Sequence, residues 1–201
     1  MRTSPSRALR AAVAATCLAL SVSACSGDSS DPSAEPTDAG TGASEATDAP
    51  PPLETTATLG KVTGRLPKGK RSKVRRQVAR AVDAWFDSAY VGGDYPRNDF
   101  AASWPGFTTG ATVDAKADKA DMSNQDIGAR IDAVEATTRK VTVDVLAVNG
   151  HAAGATARVV LKFTTEGDVR RKVEVRGRLF LTATPEGWRI FGYDVTKGRG
   201  A

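Results

Sequence analysis

Side chains able to do chemistry are few in this chain of 201 residues. It holds two thiols, Cys17 and Cys25, and a single imidazole, His151, in the turn-like stretch "NGHAAG". General acid–base work needs a partner within hydrogen-bond reach in a site shielded from water, which a hairpin tip does not supply. His151 is therefore expected to be an exposed loop residue. Inward carboxylates on a sheet could act as bases. By strand parity the two to consider are Asp144, in step with Leu146 and Val148, and Asp194, in step with Trp188 and Ile190. No motif accompanies either, and both are expected at the rim or on the solvated face of a sheet. "GRLPKGKRS", Gly64 to Ser72, has the G-x-x-x-x-G-K core of a phosphate-binding loop. Arg71, however, stands where Ser or Thr would hold magnesium, Pro67 interrupts the loop, and no buried strand is expected before it. Asp118, Asp121, Asn124 and Asp126 lack the spacing of a calcium loop and are explained by a helix end. No metal and no cofactor is expected.

What remains is charge. Nine basic residues and no acid lie between Lys61 and Arg80. Lys68, Lys70, Arg71, Lys73, Arg75, Arg76 and Arg80 are candidate contacts for an anionic surface, whether lipid head groups or a wall polymer. No aromatic platform or groove-reading motif accompanies them, so nucleic acid is not an expected partner. The formal charge of +5 understates this segregation: three of the 28 basic but seven of the 23 acidic residues precede residue 59, leaving 25 against 16 beyond it.

The start of the chain says where that charge is delivered. Arg2, Arg7 and Arg10 precede an apolar run of fourteen residues, Ala11 to Ala24, too short for a spanning helix, which needs about 20, and of the right size for an export signal. Its end, Val22-Ser23-Ala24-Cys25, resembles the lipobox of bacterial lipoprotein signal peptides. That resemblance implies cleavage before Cys25, a diacylglyceryl group on its thiol and acylation of the new amino terminus. Two or more acyl chains hold a protein stably on a bilayer where one holds only marginally. Cys17 would leave with residues 1–24, so Cys25 would be the sole remaining thiol and no disulfide could form.

Residues 25–58, rich in Ser, Thr, Ala, Pro and acids, cannot bury enough apolar surface to offset their ordering entropy and are expected to form a disordered tether. Residues 59–201 are expected to fold as one basic α+β domain. Val74, Val78, Ala81, Val82, Trp85 and Ala89 recur at helical spacing, predicting a helix from about Ser72 to Tyr90 that Gly92-Gly93 stops. "PRNDFAAS" and "GATVDAKADKADM" are two further helical candidates, with Phe100, Trp104 and Phe107 filling the core between them. Alternating strands then follow at 140–148, 155–165, 169–184 and 187–195, with "NGHAAG", "EGD" and "PEG" as hairpin turns. "ATTRK" is expected to link an earlier, weaker strand at 127–136, completing an antiparallel meander.

The order of these elements, the helix ending in "DAWFDSAYVGGDY" and the closing strand "WRIFGYDV" resemble the NTF2-like (cystatin-like cone) superfamily. Within it, the likeness over residues 68–196 is to small actinobacterial lipoproteins and Mce-associated proteins. The resemblance implies a curved sheet wrapped round the first helix with a pocket between them. Many members are non-catalytic binding or scaffolding modules; some are isomerases or dehydratases that use inward carboxylates. The expectation is an exported, lipid-anchored, non-catalytic module on the outer face of a cell membrane, with envelope proteins as further partners. The alternative is a cone-type enzyme with Asp144 or Asp194 as base.

Overall fold

The computed structural model describes residues 53–200. Strand β1 (Thr56–Thr63) leads into the long helix α1 (Lys68–Phe86), which continues as a turn of π-helix, Asp87–Val91. Helices α2 (Thr109–Ala117) and α3 (Lys119–Met122) follow, and then strands β2 (Ile131–Val148), β3 (His151–Gly167), β4 (Arg171–Thr184) and β5 (Gly187–Arg199). The strands form one sheet in the order β1-β2-β3-β4-β5.

β2 to β5 pair antiparallel through consecutive hairpins, as the turn residues predict. Asn149 and Gly150 both take positive φ in the first hairpin, the conformation that a two-residue turn demands. β1 departs from the expected meander. It pairs parallel to β2, so the sheet is mixed, and Thr56, Ala57 and Thr58, expected in the tether, are its first residues. Parallel neighbours need a crossover connection, which α1 and the segments after it supply. β1 alternates exposed and half-buried residues with a single Leu, so its apolar content is too low to stand out from a Thr- and Ala-rich lead-in.

Two other expectations change. "ATTRK" is not a turn: β2 runs straight through it, because Thr137 to Lys140 include no Gly, Pro or Asn to break pairing, and only a register shift between Ala136 and Thr138 marks the spot. "PRNDFAAS" is not a helix; Tyr95-Pro96 is a cis peptide and the stretch runs as turns, held by the Arg97 guanidinium on the Ser88 carbonyl and over the Phe100 ring. "GATVDAKADKADM" forms helix as predicted, broken at Asp118 into α2 and α3, and Thr108 caps α2 by accepting from the Ala111 amide.

α1 begins at Lys68 rather than Ser72, and buries Val74, Val78, Ala79, Val82, Trp85 and Phe86. Against them lie the alternate residues of the sheet: Val141, Val143 and Val145 of β2, Ala157 to Phe163 of β3, and Val175 to Leu181 of β4. The aromatic plug expected from Phe100, Trp104 and Phe107 is buried as well. Trp85 sits at its centre, 5.3 Å from Tyr90 and 6.3 Å from Phe107 by ring centroids, with its indole N–H on the Met122 carbonyl at 3.2 Å. Among the described residues no helix is long and apolar enough to cross a membrane.

Candidate functional site

Because α1 buries one face, its remaining positions fall on the side away from the sheet. Lys68, Lys73, Arg76 and Arg80 are exposed there. None of the four has a carboxylate in ion-pair range among the described residues, and none has a hydrogen-bond partner there. Three other cations of the run are partly employed. The Arg71 Nε donates to the Leu66 carbonyl at 3.2 Å, Lys70 Nζ to the Gly150 carbonyl at 3.2 Å, and Arg75 folds down so that its Nε is buried without a partner. The first turn of α1 has no acid and no capping side chain. The result is a row of free positive charge along one helix, with Lys73, Arg76 and Arg80 at spacings of three and four residues where like charges repel. Such an arrangement gains nothing from the fold itself and is suited to meet negative charge from outside.

Of the grounds against a phosphate loop, the missing strand is corrected, because β1 does precede it; Arg71 and Pro67 still break the pattern, and with α1 starting at Lys68 only the four residues from Gly64 to Pro67 are left as loop.

The carboxylates first considered as bases lie on the face of the sheet opposite α1. Asp144 Oδ1 accepts the Lys61 amide at 2.7 Å and pairs with Arg158 at 3.1 Å; Asp194 pairs with Arg178 at 2.5 Å. Arg158 and Arg178 stand directly opposite one another across β3 and β4, a pairing that would be repulsive, and each guanidinium is drawn outward to its own acid. Gly60 allows the first of these contacts, since a Cβ there would lie 2.1 Å from Asp144 Oδ1. Both acids are explained as structural counter-charges. His151 is exposed at the first hairpin, as expected.

Two buried polar clusters have no counterpart in the motif reading. Arg139 of β2, only 9% exposed, reaches Asp83 at 2.5 Å and Asp87 at 2.8 Å, and donates through Nε to the Thr55 hydroxyl, which in turn bonds Asp83. Burial works against its charge, and the hydrogen bonds of Asp87 and Asp83 more than offset that, holding its pKa above the ordinary arginine value. The parity of β2 places Arg139 in register with Val141 and Val143 on the inner face, and an inward Arg in a run of inward valines, with two acids a helical turn apart at the end of α1 and the start of the π-helical turn, was the available clue. In the second cluster, Lys197 of β5, 5% exposed, donates to Asp126 at 2.5 Å and to the Ser123 carbonyl at 2.7 Å. Asp121 accepts the Lys197 amide, Asp118 accepts the Tyr193 hydroxyl, and Arg171 flanks Asp126 at 3.7 Å. The acids of 118–126 thus neutralise the sheet edge. Among the described residues no three His, Cys, Asp or Glu side chains converge as a metal site would require. Burial pushes the Lys197 ammonium below the usual lysine value, and burial, with Asp118 accepting its hydroxyl, pushes the Tyr193 phenol well up.

Cys25, the export segment 1–24 and the tether up to residue 52 lie outside the described residues. No protein-family model, no curated protein and no solved structure matches the chain.

Proposed function

We propose that the protein is an exported, non-catalytic module, anchored by lipid on Cys25, whose α1 face rests on the anionic leaflet that carries the anchor. The observation that carries this reading is the row of four cations, Lys68, Lys73, Arg76 and Arg80, which follow one another without partners along one exposed helix in a stretch that holds no acid from Lys61 to Arg80. An anionic leaflet contributes about 1 kcal/mol for each Lys or Arg held near it, so four side chains suffice to keep a tethered domain on the surface. The lipobox resemblance at Val22 to Cys25 supplies the anchor. We further read the sheet and α1 as the cone of the NTF2-like superfamily. In support, α1 meets both outermost strands, β1 and β5, as a helix cradled by a curved sheet does, and register shifts within β2 and between β4 and β5 are the bulges by which strands bend.

The test is co-sedimentation of the chain carrying Cys25→Ala, which removes the anchor, with vesicles of neutral lipid and of neutral lipid containing phosphatidylglycerol, across a salt series. Binding is expected only with the anionic lipid, falling as the screening length drops below about 10 Å. Replacing Lys68, Lys73, Arg76 and Arg80 by Gln should abolish it. Equal binding to neutral vesicles, or undiminished binding of the Gln variant, would refute the leaflet reading. The anchor itself is checked by intact mass: the membrane-extracted protein should lack residues 1–24 and carry acyl mass at Cys25.

A further inference from the structure

The layer between α1 and the sheet is filled, since Trp85, Phe86, Tyr90 and Phe163 are all buried there. A cavity opens instead at one end of the domain, where the first turns of α1 face the tips of the β2–β3 and β4–β5 hairpins; its volume is about 350 Å³. That is near the lower bound for small-molecule sites, about 300 Å³. Its floor is apolar: Leu66 and Val74 are buried beneath it, and Trp188, half-buried and packed on the core, forms a wall. Every ionisable side chain in its lining is a base: Lys70, Lys73 and His151. The nearest acid on the adjoining turn, Glu186, accepts the Thr184 hydroxyl at 3.0 Å. Lys70 is tied to the Gly150 carbonyl and so bridges α1 to the hairpin that carries His151, while Lys73 has no partner among the described residues.

From this geometry we infer that the cavity is a binding site for a small organic anion with an apolar, planar body, the ring resting against Trp188 and the anionic group held between Lys70, Lys73 and His151. Each half of that ligand has its own complement. An apolar floor rewards burial of a ring, and two ammonium groups beside it attract a negative head. A neutral ring leaves the cations unanswered, and a bare inorganic anion leaves the floor wet. Lys73 belongs both to the α1 face and to the cavity lining, but the inference does not depend on the leaflet reading, because it concerns a soluble ligand at one end of the domain and is tested without a membrane.

The probe is 1-naphthalenesulfonate, titrated in the absence of vesicles into the full chain, with 2-naphthylmethanol and inorganic sulfate as the ring-only and charge-only arms. His151 is the only histidine, so its ring protons report on this cavity alone. A saturable shift of those protons is expected with the sulfonate, at an affinity at least about tenfold above that of either half. In Lys70→Gln/Lys73→Gln the affinity should fall about tenfold or more, to the level of the neutral ring. Ala183→Trp places a bulky ring in the mouth of the cavity without removing a charge, and should abolish the shift while leaving the fold's amide spectrum intact. The inference is overturned if His151 does not respond to the sulfonate, if either half binds as well as the whole, or if neither variant weakens binding. Because no membrane is present, failure here leaves the leaflet reading standing, and failure with vesicles leaves this site standing.

Discussion

Six cations of the sheet, from Arg139 on β2 to Lys197 on β5, each end on a carboxylate, whereas Lys68, Lys73, Arg76 and Arg80 on α1 end on none among the described residues. The two groups differ in what surrounds them rather than in chemistry. Each of these six stands beside a strand, helix or loop that brings an acid to it, and two of them, Arg139 and Lys197, are nearly removed from water, where an unpaired charge would be costly. On α1 the charges follow one another down an exposed face with no acid from Lys61 to Arg80. Paired charge here is part of the architecture and should show itself in stability. Unpaired charge should show itself in association and leave stability untouched.

The largest effect should come from breaking the buried pairing in which one cation holds two acids. Arg139→Met removes the hydrogen bonds to Asp83, Asp87 and Thr55 and leaves both acids without their partner. Removing one member of a buried pair typically costs 3–5 kcal/mol, and because Asp83 and Asp87 are 34% and 53% exposed and can rehydrate, about 3 kcal/mol is expected. Urea denaturation of the variant beside the parent measures it. A loss under about 1 kcal/mol would place Arg139 with the surface pairs, and the contrast between the two groups of cations would lose its strongest case.

A second, smaller effect is confined to alkaline pH. Tyr90 is buried, its hydroxyl donates to the Asp121 carbonyl at 2.5 Å, and burial with Asp121 and Asp126 nearby holds its pKa well above the ordinary value. An unfolded tyrosine ionises near 10, so the stability Tyr90 contributes is complete below that pH and is lost as pH rises toward the folded value. Tyr193 acts in the same direction. Lys197 acts in the opposite one: its lowered folded pKa makes the unfolded chain bind the extra proton just below about 10.5, where stability rises with pH. With two phenols against one amine, the fall above pH 10 should dominate. Tyr90→Phe should cost about 1 kcal/mol at neutral pH for the lost hydrogen bond and flatten the alkaline limb of stability against pH. An unchanged slope would show that the buried phenol is not the group being titrated.

The paired charges were the less legible in sequence, and the reason is physical. α1, the three hairpins and the alternating inner face of β2 to β5 follow from local spacing, because periodicity records which side of an element is buried. Arg139, Asp83 and Asp87 meet across more than fifty positions of sequence, and local spacing holds no record of such a meeting; read on α1 alone, the two acids belong to its polar face. β1 escaped for a related cause, since its order comes from parallel pairing with Lys140 to Leu146, distant in the chain, and not from its own weakly apolar residues. The segment 96–103 reads as helix with Pro96 in its first turn, and its conformation is set by Arg97 reaching back to Ser88 and by the bond from the Arg97 amide to Gly128. The basic run of α1 was legible because no acid lies within it in sequence, but nothing there separated Lys68, Lys73, Arg76 and Arg80 from Lys70, Arg71 and Arg75, which the fold engages or buries.

The smallest effect expected on stability is also the one that separates the two groups most sharply. Replacing Lys68, Lys73, Arg76 and Arg80 by Gln removes four charges at once, yet no ion pair or hydrogen bond among the described residues is lost. Lys73 and Arg76 are three apart and Arg76 and Arg80 four apart on the helix, the spacings at which like charges destabilise by about 0.2–0.5 kcal/mol per pair. Gln and the cations it replaces have similar helix propensities. The variant should therefore unfold at the same urea concentration as the parent or slightly above it, a gain of at most about 1 kcal/mol, and the difference should vanish as salt screens the repulsion in the parent. A loss of more than about 1 kcal/mol would mean these side chains hold the fold together, and α1 would then have to be counted with the sheet.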